Sequence, residues 1–406
     1  MQKLISIQNI IVYILLTLLI LNLSVSGISN SSLSAFVLKI LSSVILLSVF
    51  FIHLKQNNES LKSFLKSKPF TSLLKILVII ILYLAVTIIY SSNRLYGTEK
   101  LINIVVSIIP NIIVVSYLFN NYNKLQYKSH LFNIIAVGFT LSLLSIILLQ
   151  PFDHSTVYQF SPLRWSHVFI GRTVSFITLV LFFFFLNSKD IKKIFACSLV
   201  FIIGFSITYL TGLRTAIFGL IIFSFAGIIW QIFRKEITAN HLYGFILIII
   251  CSVILITFTP EQFETETRFD NLLQIENMEF SGDPTILNRV ECYKLGWQMF
   301  KERPVFGWGL GSFKGFNNIK WTTIQKYPHN IILEFLSETG IVGCLLFLFL
   351  CYQIISKIFV NKSLLQNKNL SFRFFLFITF LFTLLIAMFS KDISSQSFLW
   401  LYVIFL

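Results

Sequence analysis

The sequence predicts an all-α, polytopic integral membrane protein with about twelve transmembrane helices and one large external loop. Three observations lead to this fold class. The chain is 56% hydrophobic and only 12% charged, a composition that soluble globular domains do not have. Apolar runs of about 17 or more residues recur from end to end, as transmembrane helices require. At Pro260 these runs give way to a polar, charged and aromatic segment that extends to about residue 330.

Eleven apolar runs are long enough to cross a bilayer, since a helix needs about 20 residues to span the hydrocarbon core. They lie at roughly 8–26, 33–53, 72–90, 101–120, 131–150, 167–186, 194–210, 215–233, 242–259, 341–360 and 373–390. A twelfth run, at about 393–406, is barely long enough. The first 27 residues resemble a signal peptide, but the next apolar run follows almost at once. We therefore expect an uncleaved first span.

Lysine and arginine in the short loops predict which side of the membrane each loop faces. The loops near residues 55–68, 124–128, 189–193, 234–235 and 362–373 are rich in these residues and should be cytoplasmic. The alternate short loops contain few of them: Arg94, Lys100, Arg164, Arg214 and Lys391. Residues 260–330 therefore face the outside or the periplasm, with both termini in the cytoplasm. The simplest partition is one integral membrane domain, residues 1–406, with 260–330 as its external loop.

The charges and cysteines exclude several classes of function. The net charge of +15 is spread over short loops, which favours anionic lipids or an anionic substrate over nucleic acid. Four of the five cysteines lie in apolar runs and only Cys292 lies in a polar segment, so no disulfide framework or metal-ligand spacing is present. We expect no metal and no cofactor. No Asp or Glu lies in the middle of a predicted span, which argues against a proton-coupled transporter.

The external loop contains a predicted helix and a glycine-rich segment. Asp283-Pro284 is typical of a helix start, and Pro304 should end that helix. Its apolar residues recur on one face: Ile286, Val290, Tyr293, Trp297 and Phe300. This face lies along the membrane interface or packs on the rest of the loop. The following segment, 307–311, has glycine at alternate positions. It either contacts a phosphate-bearing substrate directly or forms a tight turn close to other backbone.

Two kinds of side chain in and around this loop can carry chemistry. Pro328 is expected to open the next helix, which places His329 at a helix N-terminus, where the neutral imidazole that a general base needs is favoured. A structural surface histidine is the alternative. Arg172 lies about one turn inside the sixth span, Arg214 at the outer start of the eighth, and Arg289 on the loop helix. Such arginines usually face a cavity or an anion, and they can grip phosphate through two nitrogens.

Other cations near span ends have a simpler interpretation. Lys39 and Lys75 lie near the ends of their spans and are expected to extend their amines to the membrane surface. The same extension is the alternative for Arg214.

His329-Asn330, followed after nine residues by Gly340-x-x-Gly343, resembles the signature of the O-antigen ligase family. That family includes bacterial O-antigen ligases and many O-antigen and capsular polysaccharide polymerases. Upstream residues resemble the family's Arg…Pro-x-x-Gly-x-Gly approach to the histidine: Arg289, Pro304, Gly307, Gly309 and Phe313. Leu213-Arg214-Thr215 resembles its Ser-Arg motif, with leucine replacing serine. The resemblance covers roughly residues 205–350.

The resemblance implies a reaction at the outer face of the bacterial inner membrane. A glycan carried on undecaprenyl diphosphate would be transferred to a sugar hydroxyl, without a nucleotide sugar or a required metal. The implied catalytic residues are His329, Arg214 and Arg289. The implied substrate-binding residues are Arg172, Gly307, Gly309, Asn330, Glu334 and Glu338. Glu334 and Glu338 either orient the histidine or bind sugar hydroxyls, or they serve as cap and interface residues.

Three functions stay open at this point. A polymerase would transfer the glycan to a second lipid-linked glycan, and a ligase would transfer it to lipid A–core. A lipid-linked glycan flippase or transporter would explain the spans, but not an external loop that carries arginines and a histidine. Expected partners are membrane lipids, the lipid-linked oligosaccharide, the acceptor, and other polysaccharide-assembly proteins such as a flippase or a chain-length regulator.

Overall fold

The computed structural model describes residues 33–56, 68–121, 167–257, 284–316, 326–360, 370–390 and 392–405. Within these ranges the protein is mostly helical and contains no strand. The α-helices, in chain order, are α1 Leu33–Gln56, α2 Lys68–Ile89, α3 Arg94–Asn103, α4 Ile109–Asn121, α5 His167–Asn187, α6 Ile191–Leu210, α7 Arg214–Phe233, α8 Ala239–Thr257, α9 Pro284–Glu302, α10 Ser312–Phe316, α11 Ile331–Val360, α12 Leu370–Phe389 and α13 Ser397–Trp400. A π-helical segment, Ile104–Ile108, joins α3 to α4.

Nine of the predicted spans coincide with helices, because long apolar runs are a strong local signal for helix in membrane proteins. The other two of the eleven long runs, 8–26 and 131–150, lie outside the described residues. In the described part of the chain, four helical stretches are long and apolar enough to cross a membrane: Arg94–Tyr117, Ile191–Leu210, Arg214–Phe233 and Ile331–Phe359. The total of twelve spans and the side that each loop faces remain predictions.

Two elements differ from the expected spans. Helix α11 begins at Ile331, ten residues before the predicted span 341–360, and Gly340 interrupts its helical geometry with a φ of 68°. The run near 393–406 is a succession of short turns and not a single long helix: 3₁₀ turns at Ile393–Ser395 and Leu401–Phe405 flank the four-residue α13. Ile393 and Val403 are fully buried, so this segment packs inside the protein.

The chain forms two compact units, each with its own core. The first comprises residues 1–128, 285–368 and 387–406, and the second comprises 129–284 and 369–386. Phenylalanine side chains form much of the core of the second unit. This accounts for part of the high aromatic content of the chain. Phe182 lies 5.4 Å from Phe185 and 5.0 Å from Phe201 between ring centroids, in the range that favours aromatic pairs.

The first unit contains a buried lysine that corrects one expectation. Lys39 on α1 does not extend to the membrane surface, since only 2% of it is exposed. Its Nζ donates a hydrogen bond to Oδ1 of Asn103 on α3 over 3.0 Å. Lys75 on α2 is exposed, as predicted. The sequence does not reveal this hydrogen bond, because Asn103 lies 64 residues after Lys39.

Candidate active site

The loop helix α9 runs from Pro284 to Glu302, which confirms the predicted boundaries. Its packed face differs from the predicted one. Cys292, Gly296 and Met299 are buried, and Cys292 and Met299 cluster with Phe313, whereas Trp297 remains 49% exposed. The helix therefore packs on the rest of the loop, which was one of the two alternatives, but it does so through this face and not through the predicted one. Burial raises the pKa of the Cys292 thiol to about 11, so it is a protonated core group at neutral pH.

The glycine-rich segment 307–311 is a tight turn whose backbone is used by the fold. Each N–H from residue 307 to residue 313 donates a hydrogen bond inside the protein. The acceptors are the carbonyl oxygens of Arg303, Ser337, Glu338 and Gly309, the Thr87 hydroxyl, and the Glu338 carboxylate. A phosphate at this turn would have to compete with those bonds. The geometry therefore favours the tight-turn alternative, and substrate contacts by Gly307 and Gly309 remain predictions.

The positions of the glycines follow from close backbone approach. Gly307, Gly309 and Gly311 have φ values of 68°, 93° and 84°, which side-chain-bearing residues rarely adopt. A Cβ on Gly307 would lie 2.6 Å from the backbone nitrogen of Gly340, and one on Gly309 would collide with the Thr87 carbonyl. The turn thus fits against α2 and α11 only with glycine at these positions.

Hydroxyl groups on the last part of α2 and just after it contact the turn and the adjacent part of α11. The Tyr83 hydroxyl donates to the carbonyl of Thr339 over 2.7 Å, and the Tyr90 hydroxyl donates to the carbonyl of Phe306 over 2.9 Å. The Ser91 hydroxyl donates to the carbonyl of Leu310 over 2.8 Å. Sequence reasoning missed these contacts. They join residues more than 200 positions apart, and a tyrosine or serine at the end of a span has no pattern that reveals its partner.

Glu334 and Glu338 form a buried ion cluster with Lys100. Lys100 Nζ lies 2.6 Å from Oε1 of Glu334 and 2.9 Å from Oε2 of Glu338. The lysine side chain is 1% exposed and both glutamates are 0% exposed. This arrangement supports the interface alternative for the two glutamates, and sugar binding by them remains a prediction. The sequence predicts Lys100 only as one of the cations of a short loop, and this buried position was not predicted.

His329 lies two residues before the helix that Pro328 was expected to open. Asn330 caps α11, because its Oδ1 accepts a hydrogen bond from the Leu333 N–H over 3.0 Å and its carbonyl accepts one from the Glu334 N–H over 2.9 Å. The prediction that Pro328 occupies the first helical turn is therefore wrong. Asn330 is thus a helix cap, and a substrate contact by its side chain remains a prediction.

The backbone of His329 is in a left-handed conformation. Its φ is 59°, which costs a residue other than glycine about 1–2 kcal/mol. The imidazole is partly exposed and its ring centroid lies 4.6 Å from that of Tyr327. Strained residues of this kind cluster at active sites, where the surrounding structure holds them. The His329 side chain is thus partly exposed, and its role as a base remains a prediction.

Arg289 lies on a helix that contacts the helix following His329. Gly296, two turns after Arg289 on α9, packs so closely on Leu333 of α11 that an added Cβ would be 2.9 Å from Leu333 Cγ. Arg289 is half-buried. Burial raises the pKa of Tyr293, and the charge of Arg289 partly opposes that rise. The first unit therefore brings together the helix of Arg289, the glycine turn, His329 and Asn330.

Arg172 and Arg214 belong to the second unit, near the starts of α5 and α7. Arg172 is 6% exposed. The preceding Gly171 packs against the turn before α7, since a Cβ there would be 2.6 Å from Thr211 Oγ1 and 3.1 Å from Leu213 Cβ. Leu213 is the N-cap of α7 and makes no side-chain capping bond. Arg214 thus begins a helix that lacks the hydrogen bond a serine at position 213 could supply.

Residues 199–348 match the model of a protein family described as O-antigen ligase. The resemblance to the O-antigen ligase family is confirmed. The matched segment contains Arg214, Arg289 and His329. In the described residues no group of three His, Cys, Asp or Glu side chains could hold a metal ion.

Two curated proteins are similar to parts of the chain. A protein of Rickettsia conorii that bears the name polysaccharide ligase is 32% identical over 111 residues, 24% of this chain and 26% of that protein. A protein of Rickettsia felis with the same name is 27% identical over 176 residues, 41% of this chain and 37% of that protein. The chain thus covers about a quarter to two fifths of these relatives.

Proposed function

We propose that this protein is a polysaccharide polymerase of the O-antigen ligase type. It would transfer a glycan from undecaprenyl diphosphate to a sugar hydroxyl of a second lipid-linked glycan, at the outer face of the bacterial inner membrane. The observation that carries the proposal is the family match over residues 199–348, which includes His329 and Arg289 on elements that pack together through Gly296 and Leu333.

The proposed reaction needs one base and a set of fixed cations. His329 takes the proton of the acceptor hydroxyl, and the oxygen forms a bond to the anomeric carbon of the donor sugar. The bond from that carbon to the phosphate oxygen breaks, and its electron pair leaves with undecaprenyl diphosphate. General-base catalysis supplies about 10²–10⁴-fold. Arg289, with Arg214 and Arg172 proposed in the same role, would bind the diphosphate and stabilise its developing charge.

A ligase is the second candidate. The polymerase and the ligase share the family motif and differ only in the acceptor, which would be lipid A–core for a ligase. The names of the two Rickettsia relatives favour this candidate.

The deciding experiment supplies purified protein in lipid nanodiscs with an undecaprenyl-diphosphate oligosaccharide and one acceptor at a time. Lengthened lipid-linked glycan supports the polymerase, and glycosylated lipid A–core supports the ligase. With the protein in sealed vesicles in place of nanodiscs, movement of the lipid-linked glycan between leaflets without transfer to either acceptor would support the flippase or transporter. That result would contradict both transferase proposals.

The proposed orientation can be tested with reporter fusions. An alkaline phosphatase fused after Asp283 should be active, because the Lys and Arg distribution places residues 260–330 outside. The same enzyme fused after Lys66 should be silent, since that loop should be cytoplasmic. The reverse pattern of activity would place the loop, and the site with it, in the cytoplasm.

We expect Arg214→Lys to reduce glycan transfer strongly and Lys75→Arg to have almost no effect. Lysine keeps the charge but lacks the planar guanidinium that binds two phosphate oxygens at once. Lys75 is an exposed cation on α2 and serves as the matched control. Chain formation would be measured in cells at equal protein levels. Full activity of Arg214→Lys would show that a charge alone suffices at this position.

A further inference from the structure

Lys100 is the centre of a buried cluster that joins four separate segments of the first unit. It lies on α3, and its ammonium contacts Glu334 and Glu338, which are four residues apart and so share one face of α11. It reaches both oxygens of the Glu338 carboxylate at 2.9 Å. The cluster therefore fixes the first two turns of α11 against α3.

The remaining contacts of the carboxylates reach two other segments. Glu338 Oε2 accepts a hydrogen bond from the Gly311 N–H over 2.9 Å, which ties the glycine turn to α11. Glu334 Oε2 accepts one from the Ile393 N–H over 3.0 Å, which ties the segment after α12 to the same helix. A buried carboxylate is costly without a nearby cation, and the Lys100 ammonium offsets that cost for both glutamates.

A continuous set of contacts leads from Lys100 to His329. Glu334 forms part of the first turn of α11, and its N–H donates to the carbonyl of Asn330. Asn330 is the residue after His329 and caps the helix. Leu333, the residue before Glu334, packs against Gly296 of the Arg289-bearing helix. Any shift of the first two turns of α11 would therefore move the histidine relative to Arg289.

We propose that Lys100 is a positioning residue for the transfer reaction: it holds the start of α11 so that His329 is correctly placed beside the Arg289 helix. The proposal rests on the proposed function, because it assumes that His329 is the base. Lys100 is fully buried, so it acts through the two glutamates and not through the substrate. A misplacement of about 1 Å at a catalytic group costs about 10²-fold in rate.

The test compares three variants with the wild type in the nanodisc transfer assay. Lys100→Met keeps an unbranched side chain, one atom shorter than lysine, and leaves the carboxylates without a cation. The triple variant Lys100→Met, Glu334→Gln, Glu338→Gln removes all three charges and keeps amide oxygens that can accept the backbone N–H groups. Lys75→Met, on the exposed surface of α2, is the matched control.

We expect Lys100→Met to lower kcat by about 10²-fold, with KM for the lipid-linked donor changed by less than about threefold. The control should resemble the wild type. The triple variant should regain the wild-type rate of amide exchange at 331–338, because no buried carboxylate is left without a cation. If Lys100→Met does not fold, recovery of folding in the triple variant still tests the proposal. A wild-type kcat in folded Lys100→Met would overturn it, as would a rise in KM for the donor well beyond about threefold, or a triple variant whose exchange at 331–338 is no slower than that of Lys100→Met.

Hydrogen exchange separates this proposal from the proposed function. Lys100→Met should speed amide exchange at 307–313 and 331–338, whatever reaction the protein performs. Faster exchange together with a wild type that transfers no glycan would contradict the proposed function and leave the structural role of Lys100 intact. Unchanged exchange in an active protein would contradict only the role of Lys100.

Discussion

His329→Ala is expected to bind the lipid-linked donor like the wild type and to transfer almost none of its glycan. The histidine contributes a base for the acceptor hydroxyl, and its loss should cost about 10²–10⁴-fold in rate. It has no proposed contact with the diphosphate, so donor affinity should stay unchanged. Binding of the undecaprenyl-diphosphate oligosaccharide and transfer to acceptor would be measured separately on purified protein in lipid.

Arg289→Ala is the matched comparison and should fail in a different way. The diphosphate is already negatively charged before the reaction, and its charge only increases as the sugar–phosphate bond breaks. Loss of the arginine should therefore weaken donor binding and transfer together.

Raising the pH should not rescue His329→Ala, because a sugar hydroxyl stays protonated far above neutral pH. Transfer by His329→Ala at the wild-type rate would show that the histidine is structural.

The parts of the fold that sequence predicted well are those governed by local signals. Helix α9 begins at Pro284 and ends just before Pro304, because proline is favoured in a first helical turn and cannot continue a helix. The apolar runs coincide with helices for the same reason: the signal for each element is contained in its own residues. The family motif around His329 was also local, and residues 199–348 match the family.

The start of α11 was predicted less well, although a local signal was present. Proline at position 328 suggested a first helical turn, but Asn330 is the cap and helix begins at Ile331. Asparagine is among the preferred N-cap residues, so Pro328-His329-Asn330 contained two competing start signals. In the structure the helix starts at the Asn330 cap. His329 therefore lies outside the helix, and its backbone is in a left-handed conformation.

The environment of the two glutamates could not be predicted, because it depends on contacts between distant positions. Lys100 lies 234 residues before Glu334 and 238 before Glu338. In the sequence it is one basic residue in a short loop, which the distribution of charge assigns to topology. The glycine turn is similar: its conformation was suggested by the glycines, but most of its hydrogen-bond acceptors lie on α2 and α11. These contacts form only when distant segments pack together, so no pattern along the chain reveals them.

Gly340→Ala is expected to destabilise the protein severely, with much of the expressed protein lost on extraction into detergent. The residue has a φ of 68°, and a Cβ would lie 2.5 Å from the carbonyl carbon of Val305 and 2.6 Å from the backbone nitrogen of Gly307. At this kink the helix exchanges its own hydrogen bonds for loop acceptors, since the Ile341 N–H donates to the carbonyl of Pro304 over 2.8 Å. The strained backbone alone costs about 1–3 kcal/mol, and backbone overlap adds to it.

Gly227→Ala is the control, because Gly227 lies within the helix α7 and has room for a methyl group. An added Cβ there would meet only Cδ1 of Leu186, at 3.0 Å. That atom is the far end of a flexible side chain and can shift, whereas the backbone beside Gly340 cannot. The fraction of monodisperse protein and its thermal unfolding midpoint in detergent would be compared for both variants. Gly340→Ala with the midpoint of Gly227→Ala would mean that the 303–307 segment can move away from α11, and that the glycine is not required for this packing.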